Sequence, residues 1–305
     1  MTNFLTRLAF AGAALSIATS AQAADAVSPS GPVYSGVIEM FGGYSMFSGM
    51  DEFDNSEDTA RENNPILGGF AAVNAPLSDG MSVQLDLLSS ALFAPNNDEL
   101  TEDEMFSGNS QLAVHVSGRS EDMLFGAFGG AGQAGLQSDD DASFFFGGAE
   151  MQAYLGSATL YLQGGYLDSY QADDSDDEAL DKAFFARGIA RLYASDTSRL
   201  SAEVAYADGK MDETEDMAIL GWGARFDQQI SESPASVFLA YNGNRYDLKE
   251  NCGDVGYEHR AMVGLSFAFG GNTIMANDRH GVALDTKDLG PWVAIGEADA
   301  VCFVP

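Results

Sequence analysis

The segment "ATLYLQGGYLDSYQADDSDD", residues 158–177, changes character halfway along its length. In its first half, apolar residues such as Leu160 and Leu162 alternate with polar residues such as Thr159 and Gln163. Because successive side chains of a β-strand point to opposite faces, this period of two predicts a strand with unlike faces. The second half is a cluster of carboxylates, which predicts a solvated loop.

The same hairpin pattern recurs along the chain. Its connectors alternate between short ones, such as "LGS" and "SDTSR", and long acidic ones, such as "GMDEFDNSEDTARENN" and "DGKMDETED". Each predicted strand is near the roughly 10 residues that a tilted strand needs to cross a bilayer. The strands are predicted near residues 33–46, 65–75, 80–92, 108–117, 122–133, 143–154, 158–167, 183–193, 199–207, 216–227, 235–246 and 256–269.

This arrangement resembles the bacterial outer-membrane β-barrels, whose antiparallel strands are joined by short periplasmic turns and longer extracellular loops. The resemblance implies an all-β fold, a single antiparallel up-and-down transmembrane barrel of about 12 strands over residues 33–269. It also implies a location in the outer membrane of a Gram-negative bacterium, among lipid and lipopolysaccharide. A soluble β-sandwich shares the alternation, but the even strand count and the sorting of loops by length favour the barrel.

The last predicted strand carries a second signal of the same kind. In "VGLSFAFG", residues 263–270, Val263, Leu265 and Phe267 share one face. The segment resembles the closing strand that the outer-membrane assembly machinery recognises, although residues 270–305 follow it. We therefore expect that machinery to be a partner of the chain.

The two ends of the chain lie outside the predicted barrel. Residues 1–23 contain Arg7, an apolar stretch and small residues at Ala21 and Ala23, the pattern of a secretory signal peptide. Residues 24–32 are a short lead-in. Residues 270–305 form a tail that could remain in the periplasm, add a hairpin to give 14 strands, or fold back into the barrel as a plug.

Charge and motifs restrict the function classes. The formal net charge of −32 excludes a nucleic-acid partner, because the phosphate backbone would be repelled. The acidic loops attract cations, but they lack the spacing of a calcium loop. We find no phosphate loop, dinucleotide fingerprint or metal-ligand spacing, so no cofactor and no metal site is predicted.

Face assignment places the charged residues of seven predicted strands inside the barrel. An arginine facing lipid near the bilayer midplane would cost roughly 2 to 4 kcal/mol, and the period-two pattern avoids this cost. The acidic residues lie mostly on early strands and the arginines on late ones, which predicts opposite signs on opposite walls of the lumen. The predicted lumen-lining residues are Glu39, Asp86, Glu150, Glu203, Arg187, Arg191, Arg225 and Arg260.

These residues predict a porin-like channel for passive diffusion of small polar solutes or ions. An alternative is a non-conducting barrel, in which the same charges form a polar core and the acidic loops serve a structural or surface-interaction role. A third alternative is a lipid-active enzyme, because His115 and Ser117 in "AVHVSGR" faintly resemble the His-x-Ser pair of the outer-membrane phospholipase. The rest of that family's pattern is missing, since Gly118 stands where that family has Asn, and we predict no enzymatic activity.

Two cysteines allow one disulfide in an exported protein. Cys252 falls in a predicted external loop, whereas Cys302 falls in the tail. A bond between them would require the tail to pass through the lumen, which its extended length of about 3.3 Å per residue permits.

Overall fold

The structure is a computed structural model that describes residues 34–48, 63–78, 80–93, 106–135, 141–170, 180–211, 216–231, 233–248 and 255–294. Within these ranges twelve antiparallel strands form a closed barrel, each paired with its neighbours in sequence. Strand β12 pairs with β1, with Met40 opposite Leu265, so the sheet has no free edge. The strands are β1 (Ser35–Ser48), β2 (Asn63–Ser78), β3 (Met81–Phe93), β4 (Phe106–Arg119), β5 (Met123–Gly135), β6 (Asp141–Leu155), β7 (Ala158–Tyr170), β8 (Lys182–Ser195), β9 (Ser198–Lys210), β10 (Asp216–Gln229), β11 (Ala235–Leu248) and β12 (Val255–Phe269).

The predicted fold class is confirmed, because all twelve predicted strands are present and the barrel closes on itself. Most of the observed strands run a few residues further toward the long connectors than predicted. The outer face is apolar as expected, and no soluble sandwich leaves such a continuous apolar surface uncovered. Its exposed side chains include Met40, Leu85, Leu112, Leu162, Phe184, Leu192, Val204, Tyr206, Leu220, Leu239, Val263 and Leu265.

The inner face is less polar than the sequence pattern suggested. Near the end that carries the long connectors, Phe128, Phe144, Phe146 and Phe185 are buried inside the barrel and form one cluster. Their ring centroids lie 6.1–6.3 Å apart, a normal separation for packed aromatic side chains. The barrel therefore contains a hydrophobic core on this side of its interior.

The described part of the tail enters the barrel directly after β12. Gly270 has a positive φ of 86°, and a Cβ there would lie 2.5 Å from the carbonyl oxygen of Tyr34, so the reversal requires glycine. Two short helices follow, α1 (Ile274–His280) and α2 (Gly290–Val293). Thr273 caps α1 by accepting a hydrogen bond from the backbone N–H of Ala276 at 3.1 Å.

In the part of the chain that the structure describes, neither helix approaches the length and hydrophobicity that a membrane span requires.

Candidate functional site

The tail passes through the barrel from the end with short turns to the end with long connectors. At the first end, Arg279 donates hydrogen bonds of 2.9 Å to the carbonyl oxygens of Gly156 and Ala158, in and beside the β6–β7 turn. At the other end, the backbone N–H of Leu180, just before β8, donates to the carbonyl oxygen of Val293. Of the three positions considered for the tail, the described residues therefore show the plug.

Strands β3 to β7 bind the middle of the tail through their polar inward side chains. The amide groups of Gln84, Gln111 and Gln152 donate to tail carbonyl oxygens over 2.6–2.7 Å. These bonds satisfy backbone groups within residues 283–289, which form no secondary structure of their own. Side chains of the inner wall thus make the hydrogen bonds to the tail backbone that a helix or strand would otherwise have made.

Trp292 anchors the far end of the tail in the hydrophobic core. It is fully buried, its ring makes an edge contact with Phe185 at 6.3 Å, and its indole N–H donates to Asn244 at 3.1 Å. The apolar ring is packed and its N–H group is hydrogen-bonded, as a buried tryptophan requires.

All eight predicted lumen charges lie on the inner face. Oppositely charged side chains among them are in direct contact. Arg225 donates two hydrogen bonds to Glu39, at 2.7 and 2.9 Å, and a third to Asp227. Arg187 donates to Glu203 at 2.7 Å. This pairing differs from the expected field between opposite walls, because each cation has an anion as a direct neighbour.

The tail supplies several of the countercharges. Arg191 binds two tail carboxylates, pairing with Asp278 and donating to Asp285 at 2.5 Å. The ammonium group of Lys287 lies 2.8 Å from Glu203. Since both Arg191 and Asp278 are almost completely buried, this pair links the tail firmly to β8.

Arg260 lies between strand β12 and the tail. It pairs with Glu258 on its own strand at 2.5 Å and faces Asp288 of the tail at a looser 3.6 Å. Asp288 also accepts a hydrogen bond from Asn109 at 2.9 Å. Asp288 thereby connects the tail to β12 and to β4, two parts of the wall that are four strands apart.

His115 is at the centre of a buried acidic cluster. One ring nitrogen lies 2.9 Å from Glu150, and the other lies 3.0 Å from the Thr286 hydroxyl and 3.2 Å from Asp86. The Tyr161 hydroxyl donates to Glu150 at 2.5 Å. The two predicted lumen acids Asp86 and Glu150 are therefore joined through one histidine, which bonds to the tail.

His115 and Ser117, which resemble a His-x-Ser pair in sequence, have separate partners in the structure. Both side chains point into the barrel, as the pattern predicted, and both are buried. The hydroxyl of Ser117 lies 3.1 Å from that of Ser82, whereas the ring nitrogens of His115 face the acidic cluster. In these contacts, His115 is not hydrogen-bonded to Ser117 as a general base would be to its nucleophile.

A cavity of about 290 Å³ remains between the tail and the wall formed by β8 to β12 and β1 to β3. It begins near Gly271, at the end with short turns, and reaches Arg260 and Asp288 in the middle of the barrel. A second cavity of about 50 Å³ lies beyond Arg260, toward Phe47 and Pro291 at the other end. Arg260 lines both cavities and therefore lies between them.

Several site residues were not predicted from the sequence. Asp227, Glu258 and Arg199 lie inside the predicted strands, near their ends, and alternation with Arg225, Arg260 and Glu203 places them on the inner face. The tail residues gave no signal, because residues 281–289 have no periodicity that points to a partner. The missed tail residues that bind the inner wall are Asp278, Arg279, Asp285, Thr286, Lys287 and Asp288.

Other predictions fall outside the described residues. These are the signal peptide and lead-in, most of the acidic connectors, and both Cys252 and Cys302. The predicted disulfide therefore stays a prediction. Among the described residues, no group of histidine, cysteine or carboxylate side chains is arranged to hold a metal ion.

Comparisons by sequence give no relative: no family model matches the chain, and no curated protein matches it. Comparisons by structure give many outer-membrane barrels. The COG4313 outer membrane channel from Pseudomonas putida F1 is 11% identical, aligns over 80% of this chain and 100% of its own, and has a TM-score of 0.53. The outer membrane phospholipase dimer of Salmonella typhi, with bound calcium, is 11% identical over 75% of this chain and 90% of its own, with a TM-score of 0.44. A KdgM porin in complex with disordered oligogalacturonate is 8% identical over 76% of this chain and 99% of its own, with a TM-score of 0.43. The chain therefore has the fold of the outer-membrane β-barrels.

Proposed function

We propose that the protein is a narrow outer-membrane channel for passive diffusion of small polar solutes, with its own tail as a fixed partial plug. The observation that carries this proposal is the pair of cavities beside the tail, which together extend along most of the barrel. A solute would move between the tail and the β9–β12 wall. The lipid-facing outer surface supports a location in the outer membrane, where the acidic connectors would face the outside.

Arg260 is the proposed constriction of this passage. Its guanidinium group bridges Glu258 and the more distant Asp288. Since the contact to Asp288 is 3.6 Å long, a small side-chain movement would open the connection between the cavities. Charged side chains at such a constriction restrict the size of the solute and its charge.

Single-channel recording of the full chain in planar bilayers tests the proposal. We expect a small, steady current, because most of the barrel is filled. Arg260→Ala should increase the conductance and raise the preference for cations, since Glu258 and Asp288 lose their shared cation. The double variant Arg260→Ala with Asp288→Ala should keep the wider passage with a smaller shift toward cations.

Arg245→Ala is the matched control. Arg245 lies on β11, three residues beyond Asn242, which pairs in register with Arg260. It is on the outer face, where it pairs with Asp247 at 2.8 Å. Its removal should leave the current unchanged. The proposal fails if the wild-type protein is silent, or if the two arginine variants conduct alike.

A second candidate function is favoured by the tail itself. A barrel whose core is packed and whose lumen is crossed by its own chain could serve as a sealed structural element. Its surface role would then belong to the acidic connectors. Silence of both the wild type and Arg260→Ala in bilayers would support this candidate.

No enzymatic activity is part of the proposal. His115 and Ser117 are buried inside the barrel, away from lipid, and their contacts go to other side chains.

A further inference from the structure

The charged side chains that line the larger cavity differ in how much of their surface is exposed. The tail residues Asp285 and Asp288 are the most exposed of them, with 44% and 32% of their side chains accessible. Both lie inside the closed barrel, so this accessible surface faces the cavity. The most exposed cation of the lining is Arg225, at 26%. A solute in the cavity would therefore meet the two tail carboxylates more readily than the cations.

The charged cluster around Arg225 on the wall is neutral. Arg225 donates hydrogen bonds to Glu39 and Asp227, and Arg199 donates to Asp227 as well. Two cations and two anions therefore balance within one cluster on β1, β9 and β10. The guanidinium group of Arg225 also lies 3.9 Å from the ring centroid of Phe238, which covers one of its faces. This cluster gives the cavity no net charge.

The two exposed tail carboxylates belong to groups that carry an excess negative charge. Arg191 contacts Asp285 and also pairs with the buried Asp278, so one guanidinium group faces two carboxylates. Arg260 likewise contacts Asp288 while it is paired with a carboxylate of its own strand. Since Asp285 and Asp288 are the exposed members of these groups, the excess negative charge faces the cavity.

One group of the opposite sign also lines the cavity. Arg187 and Lys287 both contact Glu203, which leaves one positive charge in excess. Their side chains are only 8% and 13% exposed, so this charge is less accessible than the tail carboxylates. The groups that line the cavity therefore leave a net negative charge, and its accessible part belongs to the tail.

The two carboxylates also follow one another along the cavity. Three residues of extended chain span at most about 10 Å, and residues 283–289 form no helix or strand. Thr286, which follows Asp285, is held by contacts with Asp86 and His115, so the tail is fixed between the two carboxylates. Fixed carboxylates along an aqueous path favour the passage of cations.

We propose that Asp285 and Asp288 are specificity-determining residues, which give the cavity and the passage through it a preference for small cations over small anions. The volume of about 290 Å³ is at the lower end for solute cavities, which restricts the cations to inorganic ions and small ammonium ions. This inference rests on the proposed function, because it names the class of solute that uses the passage.

Reversal potentials of the full chain in planar bilayers, under a gradient of potassium chloride, measure this preference. We expect the wild type to prefer potassium over chloride. Asp285→Asn and Asp288→Asn should each lower the permeability ratio about fourfold. This change corresponds to about 0.8 kcal/mol, the interaction between two unit charges about 5 Å apart in water. Asp247→Asn is the matched control, because the Asp247 side chain is 34% exposed but lies on the outer face, and its ratio should equal that of the wild type.

Lys287→Gln separates an effect of charge from an effect of shape. Loss of this positive charge should raise the preference for potassium, because Asp285 and Asp288 then act without a cation between them in sequence. A tail that is merely loosened by substitution would widen the passage and lower the preference in all three tail variants.

Cysteine labelling of the detergent-solubilised protein measures the same preference without conduction. In a cysteine-free background, Asn242→Cys places a thiol on the cavity wall, in register with Arg260. Relative to their rates with free cysteine, the cationic reagent 2-aminoethyl methanethiosulfonate should label this thiol faster than the anionic 2-sulfonatoethyl reagent. Adding Asp285→Asn and Asp288→Asn should lower this rate ratio at least about fourfold.

The inference is overturned if the wild type prefers chloride, if the two aspartate variants shift the permeability ratio no more than Asp247→Asn does, or if Lys287→Gln lowers it. Silence in bilayers together with faster cationic labelling would support the preference of the cavity and contradict the proposed passage. Conduction together with equal labelling by the two reagents would support the passage and overturn the inference. Silence together with equal labelling would contradict both.

Discussion

Replacement of Arg191 by methionine tests how the tail is held in the barrel. Met fills a similar volume, but it leaves the carboxylate of Asp278 without its cation. Only 3% of the Arg191 side chain and 1% of the Asp278 side chain are exposed, so water cannot compensate. Breaking a buried ion pair by removing one partner costs about 3–5 kcal/mol. The remaining bond from the Thr159 hydroxyl to Asp278, at 2.8 Å, offsets only part of this loss.

This free-energy cost should weaken the docking of the tail in the barrel, because Asp278 belongs to α1 of the tail. A change of about 3 kcal/mol shifts the equilibrium between docked and released tail by a factor of roughly 100. Trp292 reports this release, since it is buried against Phe185 only while the tail is docked. The chain contains two tryptophans, so a Trp222→Phe background makes Trp292 the single reporter.

The assay is urea titration of the detergent-solubilised protein, followed by Trp292 emission and acrylamide quenching. Arg191→Met should release the tail at a clearly lower urea concentration than the background protein. Adding Asp278→Asn should recover part of the loss, because the stranded charge is removed. Arg245→Met is the control: its pair with Asp247 is 39% and 34% exposed, and such pairs contribute about 0–1 kcal/mol. The reasoning is refuted if Arg191→Met shifts the midpoint no more than Arg245→Met does.

Two further predictions concern the barrel itself. Gly148→Ala should destabilise the barrel by at least about 1–3 kcal/mol. A Cβ there would clash with the carbonyl oxygen of Gly164 and lie 2.6 Å from the Cα of Gly165. Gly118→Ala should be tolerated, because a Cβ at Gly118 meets nothing within 4 Å. Loss of the folded band in heat-modified electrophoresis measures both, and equal behaviour of the two variants would contradict the packing argument. Val204→Arg should cost roughly 2 to 4 kcal/mol in folding from urea into lipid vesicles, because the 56% exposed side chain of Val204 faces lipid, whereas Val204→Leu should be nearly neutral. An unchanged folding free energy for Val204→Arg would show that this face is not in hydrocarbon.

The strands and their faces could be predicted because successive side chains alternate between two different environments. Lipid covers one face of every strand and the other faces inward, so residues such as Val204 and Glu203 reveal their sides by alternation alone. The alternation is too weak to assign the faces of β2, β5 and β11 from the sequence. On β5 the inward residues are Phe128 between glycines, and the ring of Phe146 packs over Gly130, so neither face is polar.

The path of the tail could not be predicted, because it depends on contacts between distant parts of the chain. Thr286 binds Asp86 and His115, which are 200 and 171 residues away. A segment whose partners are inner-wall amides and carboxylates needs no periodicity, and its sequence shows none. The pairing of charges has the same cause. The structure places the eight predicted residues on the inner face, but Asp278, Asp285, Lys287 and Asp288 reach them only with the tail.

Cross-linking between Asp86 and Thr286 tests most directly that the tail occupies the barrel. Their side chains are in contact, with the Thr286 hydroxyl donating to Asp86 at 2.7 Å. In a background with Cys252→Ser and Cys302→Ser, the pair Asp86→Cys and Thr286→Cys should form a cross-link that peptide mass mapping detects. The pair Leu85→Cys and Thr286→Cys should not, because Leu85 faces outward. Absence of the first cross-link, or equal yields for both pairs, would show that the tail does not pass through the barrel.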